Sequence, residues 1–177
     1  MPSPSDTLGS DPHLGPLWET HGPVTIEPAD DLFERTIVSI VRQQLSMDSA
    51  AAIRERLFDA VEITPAGVLA AEKDTLRDTG LSGSKAEYVR NVAEAFDERG
   101  YDRAYFDGTS DEAVVDELTE IAGVGPWSAK MVLMFGLGRE DVFPVEDLGI
   151  RAGMHEIVDP ELTRAEMRDH AEAWAPH

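Results

Sequence analysis

An all-α fold with no significant sheet is what this sequence predicts, and three observations predict it. No stretch of four or more residues alternates apolar and polar between turn signals, as a half-buried strand would. Apolar residues recur instead at spacings of three and four, the period of one helix face. Several of these runs open on Asp or Thr with Glu three residues later, the mark of a capped helix start. A length of 177 residues with 42% hydrophobic content, no internal repeat and no 18-residue apolar span fits one domain with a sizeable core.

Taken in order, residues 1–29 carry Pro2, Pro4, Pro12, Pro16, Pro23 and Pro28 among Gly and Ser, so an irregular segment is expected there, pinned by Leu14, Leu17 and Trp18. The helical domain is expected over 30–177. Asp31 with Glu34 opens a first helix, 31–45, whose buried stripe is Phe33, Ile37, Ile40, Val41 and Leu45. Ser46 caps a second, marked by Ala50, Ile53, Leu57, Phe58 and Val61. Thr64-Pro65 starts a third, since proline suits a first turn. Short helices follow over 65–71, 73–79 and 85–98, the last two stopped by Gly80 and Gly100. Tyr88, Val92, Ala95 and Phe96 form the stripe of the last one. Thr109 with Glu112 opens a helix through Val114, Leu118 and Ile121. Pro126 opens another, apolar on nearly every face at Trp127, Met131, Val132, Leu133, Met134 and Phe135, as expected of a central helix. Asp147 begins a helix, and Thr163 with Glu166 caps a last one carrying Met167, Ala171 and Trp174.

Zero cysteines exclude disulfides, a thiol nucleophile and cysteine-ligated metals, and the five histidines adjoin no ligand-spaced carboxylate, so neither a catalytic metal nor another cofactor is expected. The first 17 residues have no basic cluster or apolar core, so a cytoplasmic protein without a membrane anchor is expected. The formal charge of -20, from 35 acids and 15 bases, bears on partners in two ways. Either the acidic surface is a solvated one that meets no nucleic acid, or the chain works in a salt-rich cytoplasm. Only Lys73, Lys85 and Lys130 are lysines, and the acids are spread along every helix, a pattern typical of halophile proteins. At about 1 M salt the Debye length is roughly 3 Å, and repulsion from phosphate is hardly felt.

Chemistry concentrates in residues 118–151. Gly123 and Gly125 flank Val124 at a junction of two helices, either as a tight turn that needs positive φ or as a gap through which backbone N–H groups and the positive end of the helix from Pro126 meet a phosphate. Such a grip needs few lysines and suits an acidic protein. Asp147, 24 residues after Gly123, is either an ordinary helix N-cap or a catalytic carboxylate, with Glu146 as its competitor.

Leu118-x-x-Ile-Ala-Gly-Val-Gly-Pro-Trp-Ser-Ala, followed by Val-Phe-Pro-Val-Glu-Asp-Leu-Gly at 142–149, resembles the helix-hairpin-helix DNA glycosylase superfamily, and within it the 3-methyladenine DNA glycosylase II group. Gln43-Gln44-Leu45-Ser46 and Gly80-Leu81-Ser82 with Lys85-Ala86-Glu87-Tyr88 are similar to two further segments of that group. The resemblance covers about residues 12–176. It implies excision of alkylated purines, of the 3-methyladenine and 7-methylguanine type, from double-stranded DNA by base flipping, with Asp147, the acid directly before Leu-Gly, stabilising the cationic sugar. Bifunctional members have a lysine where this chain has Trp127, so hydrolysis without strand cleavage is implied. Trp127 either packs in the core or stacks on an electron-poor base, and Met131 joins it in the base pocket. The DNA-binding set so implied is Gly123, Gly125, Ser128, Ala129 and Lys130, with Gln43, Gln44 and Ser46 at the other motif. Gln44 is the candidate to fill the hole left by the flipped nucleotide, Gln43 being either a partner in this or a buried, hydrogen-bonded amide. Lys130 is either a phosphate contact or a solvated side chain. The carbonyls of Thr119, Ile121 and Gly123 would hold a structural Na+ or K+. A monomer is expected, acting on DNA at the nucleoid. Family members usually continue past the position of Pro176 into another helix, so a C-terminal truncation is expected, and some bacterial members carry an extra N-terminal domain. The rival expectation is a non-catalytic DNA-binding or damage-sensing module built on the same hairpin, and a third is a helical interaction domain that binds no DNA.

Overall fold

A computed structural model describes residues 3–177. Among them there is no strand, and no helix is long and apolar enough to cross a membrane. The helices are α1 (Pro4–Thr7), α2 (Gly15–His21), α3 (Leu32–Arg42), α4 (Met47–Ala60), α5 (Pro65–Ala70), α6 (Lys73–Asp78), α7 (Gly83–Arg99), α8 (Asp111–Thr119), α9 (Pro126–Val132), α10 (Leu148–Ile157) and α11 (Arg164–Ala171). A π-helical turn, Leu133–Leu137, extends α9, and a 3-10 turn, Glu172–Trp174, follows α11.

The chain divides into two compact units rather than the single domain expected over 30–177. One runs from Pro28 to Gly138. The other is formed by both ends of the chain, up to Glu27 and from Arg139 onward. The first unit is built on α3, which packs on α7 and α9, with α5 and α6 on α7 and α8 on α9. Ile37, Ile40, Leu57, Val68, Leu76, Val89, Val92, Leu118 and Val132 are sealed in its core, each worth about 1.5–3 kcal/mol of burial. In the second unit Val145, Met154, Met167 and Trp174 form a small core of their own, covered by Leu8 and Leu14 from the N-terminal segment. His13 Nδ1 lies 2.8 Å from the Ile157 carbonyl and ties that segment down again.

The segment 1–29 is therefore not irregular throughout. Pro4 and Pro16 do not break helices but lie in the first turns of α1 and α2, where a missing N–H costs nothing. The first core helix ends at Arg42, three residues early, because Gln43 and Gln44 leave the helical region. Ser110, not Thr109, caps α8, accepting the Ala113 N–H at 3.3 Å. Asp31, Ser46, Thr64, Asp147 and Thr163 cap as the sequence predicts, Thr163 with a full capping box. On α7 the buried positions are Ala86, Val89, Val92, Ala93 and Phe96, while Tyr88 and Ala95 are half-buried.

An aromatic cluster closes one side of the larger unit. Phe96 meets Phe33 and Tyr101 edge-on, each at 5.3 Å, and the Tyr101 and Tyr105 hydroxyls donate to Glu117 at 2.9 and 2.7 Å. Burial, then the Glu117 carboxylate, pushes the Tyr101 phenol up to about 12. A raised folded-state value favours the neutral phenol in the fold, so its contribution is complete below the unfolded value near 10 and is lost as pH rises from there to about 12. The expected result is a flat unfolding free energy up to about pH 10 and a decline above it. Tyr101→Phe removes the phenol and with it this part of the alkaline decline, which denaturant titrations of both proteins across that range check.

Candidate active site and nucleic-acid interface

The hairpin between α8 and α9 is held from behind by side chains of other helices. Gln43, just past the end of α3, donates from Nε2 to the Gly123 carbonyl and to Ser128 Oγ, both at 2.9 Å. Asn91 Nδ2 of α7 donates to the Ala122 carbonyl at 2.9 Å. Tyr88, also of α7, lies beneath Gly123: a Cβ there would come within 2.2 Å of its ring, and Gly123 has φ +106°. Both the conformation and the space therefore demand glycine at 123. Gly125 is different. Its φ is -96°, which any residue adopts, and a Cβ there would meet nothing within 4 Å. The turn itself has no need of this second glycine.

Lys85 Nζ donates to the Val41 carbonyl at 2.7 Å and to the Gln43 carbonyl at 2.6 Å, closing the C-terminal end of α3. Desolvation lowers its pKa. These two bonds hold the corner in which Gln44 takes φ +55°, an uncommon conformation for a residue with a Cβ, at a cost of about 1–2 kcal/mol. Gln44 is exposed there, and so are Leu45 and Met47. The two upstream motifs thus act together, with Gln43, Lys85 and Tyr88 building the cradle of the hairpin and of the Gln44 corner.

This arrangement corrects several assignments. Gln43 is bonded to the hairpin, as in the second of its two readings, a hydrogen-bonded amide. Ser128 is 1% exposed and its hydroxyl accepts from Gln43, which leaves no side chain to offer. Ala129 is fully buried and its N–H goes to the Gly125 carbonyl at 3.0 Å, so it drops out of the set. Met131 is 5% exposed. Ser46 is exposed, with its hydroxyl accepting the Ser49 N–H as the cap of α4. Trp127 and Lys130 are half-buried, so Trp127 keeps part of its ring outside the core. Of the carbonyls expected to hold a cation, that of Gly123 accepts from the Gln43 amide and that of Ile121 accepts the Val124 N–H, both at 2.9 Å.

In the other unit Asp147 caps α10. Its Oδ1 accepts the N–H groups of Gly149 at 2.7 Å and Ile150 at 3.1 Å. A Cβ on Gly149 would stand 3.1 Å from that oxygen, so glycine keeps the cap uncrowded. The N-cap role is real. It does not exhaust a carboxylate, which has two oxygens and about four lone-pair sites. Asp147 is half-buried beside Leu148 and Gly149, both exposed. The loop before it is braced by Arg151, whose Nη1 donates to the carbonyls of Val145 at 3.1 Å and Glu146 at 2.7 Å. Glu146 pairs with Arg168 at 3.8 Å. Arg151 and Asn91 act through backbone carbonyls and have no local sequence signature.

One unit thus holds a helix-hairpin-helix whose Ala122 and Gly123 carbonyls are bonded from behind, and the other holds a backbone-fixed carboxylate at a helix start. The chain belongs to the HhH-GPD superfamily of base excision DNA repair proteins, whose family model matches residues 37–176. Among its relatives, a putative DNA-3-methyladenine glycosylase of Bacillus subtilis, YfjP, is 29% identical over 93% of this chain and 61% of its own length. A DNA-3-methyladenine glycosylase of Saccharomyces cerevisiae is 35% identical over 86% of this chain and 55% of its own. The chain thus spans a little over half the length of these curated relatives. The structure of Schizosaccharomyces pombe 3-methyladenine DNA glycosylase, Mag1, in complex with abasic DNA superposes with a TM-score of 0.86 at 28% identity, covering 96% of this chain and 87% of that one.

Proposed function

We propose that this chain is a monofunctional DNA glycosylase that hydrolyses the N-glycosidic bond of alkylated purines, of the 3-methyladenine and 7-methylguanine type, in double-stranded DNA. The observation that carries the reading is the half-buried Asp147 carboxylate, fixed by two backbone N–H groups, in a chain whose hairpin is open at Gly125. The names of the relatives support the same activity.

Gly125 lets a DNA phosphate approach the hairpin, where α9 begins and its first N–H groups have no partner within the helix. Gln44, exposed on a strained corner, enters the stack and occupies the space of the extruded nucleotide. Backbone strain at such a point is typical of functional positions. Alkylation at N3 or N7 gives the purine a positive charge and makes it a good leaving group, so modest help suffices. As the glycosidic bond breaks, the sugar becomes oxocarbenium-like, and the negative charge of Asp147 stabilises it. Water then adds to C1′, the base departs, and an abasic site remains. Asp147 is fixed before the reaction, so little reorganisation is needed when charge develops.

Trp127 stands where a Schiff-base lysine would have to be, so no imine forms and the strand stays intact. Its partly exposed ring offers a stacking face to a cationic base. Base removal and the sugar chemistry proposed here draw on no metal, and Gln43 and Asn91 brace the hairpin. The enzyme works as a monomer in the cytoplasm, at the nucleoid. Incubation with methylated duplex DNA at low and high salt, followed by identification of the released bases, tests the reading. Borohydride added during turnover is expected to trap no covalent protein–DNA adduct; a trapped adduct contradicts the monofunctional assignment.

A further inference from the structure

A cavity of the larger unit lies between α3 and α4. It encloses about 280 Å³ and is lined by Arg35, Arg42 and Arg54 together with apolar residues such as Val38, Met47 and Ala51. No acidic side chain lines it. The chain has 35 acids and 15 bases, so a random pairing of surface groups would give each arginine an abundance of carboxylates. Among the described residues these three have none. Arg42 directs a guanidinium N–H at the Met47 sulfur, 3.0 Å away and a weak acceptor. Arg54 lies over the Phe58 ring at 5.5 Å and Arg35 over the Phe135 ring at 4.6 Å. The Arg35 Nε is buried with no hydrogen-bond partner. Burial and then the Arg42 charge lower the Arg35 guanidinium to about 10.

Three arginines around one cavity with no acidic side chain in its lining form an oxyanion seat, since the planar fork of arginine matches phosphate oxygens in pairs. The volume is at the lower end for small-molecule pockets, enough for a phosphate and part of its ester but not for a large ligand. Position then selects the source. Arg42 and Met47 flank the corner 43–46 from which exposed Gln44 projects. We infer that this pocket binds a backbone phosphate of the DNA strand that passes the Gln44 corner, as a second anchor beside the hairpin. The inference rests on the DNA glycosylase reading for its choice of DNA over a free anion. It also explains how a chain of net charge -20 keeps a local attraction for phosphate.

The test is the salt dependence of duplex DNA binding. Each phosphate neutralised contributes roughly 0.9 to the slope of log K against log salt. Arg42→Gln with Arg54→Gln is expected to lower the magnitude of that slope by about 0.9 and to weaken binding roughly tenfold at 0.1 M salt. The exposed Arg54→Gln alone, which threatens no packing, moves both in the same direction by less. Arg77→Gln with Arg164→Gln, an equal change of net charge at exposed positions elsewhere, is the control and leaves the slope within half of that change. An unchanged slope in the pocket variants overturns the inference, and so does an equal change in the control. Inorganic phosphate, followed by phosphorus NMR, separates the sources: phosphate bound through the arginines with no effect on DNA means a free-anion site and overturns the assignment to DNA. Base release by the parent is measured alongside. Release with an unchanged slope sinks only the pocket, whereas a lowered slope without release by the parent sinks the glycosylase reading and leaves the pocket standing.

Discussion

Asp147→Asn slows release of methylated purines by roughly 10³-fold or more, taking the loss of a preorganised electrostatic contact as the guide, while DNA binding and thermal stability stay close to those of the parent. The structure makes this substitution unusually clean. Asp147 has two roles, as the cap of α10 through Oδ1 and as the proposed stabiliser of the sugar cation. Asparagine caps about as well as aspartate, so the side-chain oxygen still accepts from Gly149 and Ile150 while the negative charge is gone. Asp147→Ala, by contrast, also loses the cap, at about 1 kcal/mol, and confounds the two roles. Single-turnover release by Asp147→Asn and the parent, with their melting curves, decides. Equal rates would mean that Asp147 is only a cap.

The hairpin glycines separate in the same way. Gly123→Ala is expected to destabilise the protein by about 3 kcal/mol or more, because an overpacked Cβ adds to the cost of a left-handed conformation. The ring it would strike, Tyr88, lies under the turn and is not the far end of a flexible chain. Gly125→Ala meets open space at an ordinary φ, so it is expected to leave stability within about 0.5 kcal/mol, yet to weaken DNA binding by roughly tenfold or more through a methyl group on the face a phosphate must approach. Denaturant titration and DNA binding on the two variants check this. A Gly125→Ala protein that binds DNA like the parent would reduce the second glycine to a structural accident.

Much of this is legible in the sequence, and the reasons for what is not are local. Caps such as Asp31 and Thr163 announce themselves because donor and acceptor are three residues apart. Thr109 and Ser110 are both good caps, and the frames they open differ by one residue, which pattern cannot resolve; Ser110 wins. The apolar period runs on to Leu45 and overstates the length of the helix from 31, whereas Gln44 adopts a positive φ that no propensity favours and Lys85, some 40 residues on, holds its neighbour. The cradle of Gln43, Asn91 and Lys85 acts on backbone carbonyls, which every residue has, so nothing in the letters marks the recipient. The resemblance of those segments to the family points to these stretches, while the partners of Gln43 and Ala129 appear only in the fold. Division into two units is hidden for another reason: the ends of the chain, far apart in sequence, share the small core around Met154 and Trp174.

The central claim, hydrolytic excision of an alkylated purine that depends on the Asp147 charge, is tested most directly by chromatographic analysis of the bases released from methylated duplex DNA by the parent and by Asp147→Asn, with the strands examined in parallel. Release of 3-methyladenine or 7-methylguanine by the parent, its loss in the variant, and intact strands bearing abasic sites are the predicted result. Binding of methylated DNA with no base released at low or high salt would contradict it and make the hairpin part of a damage-sensing module.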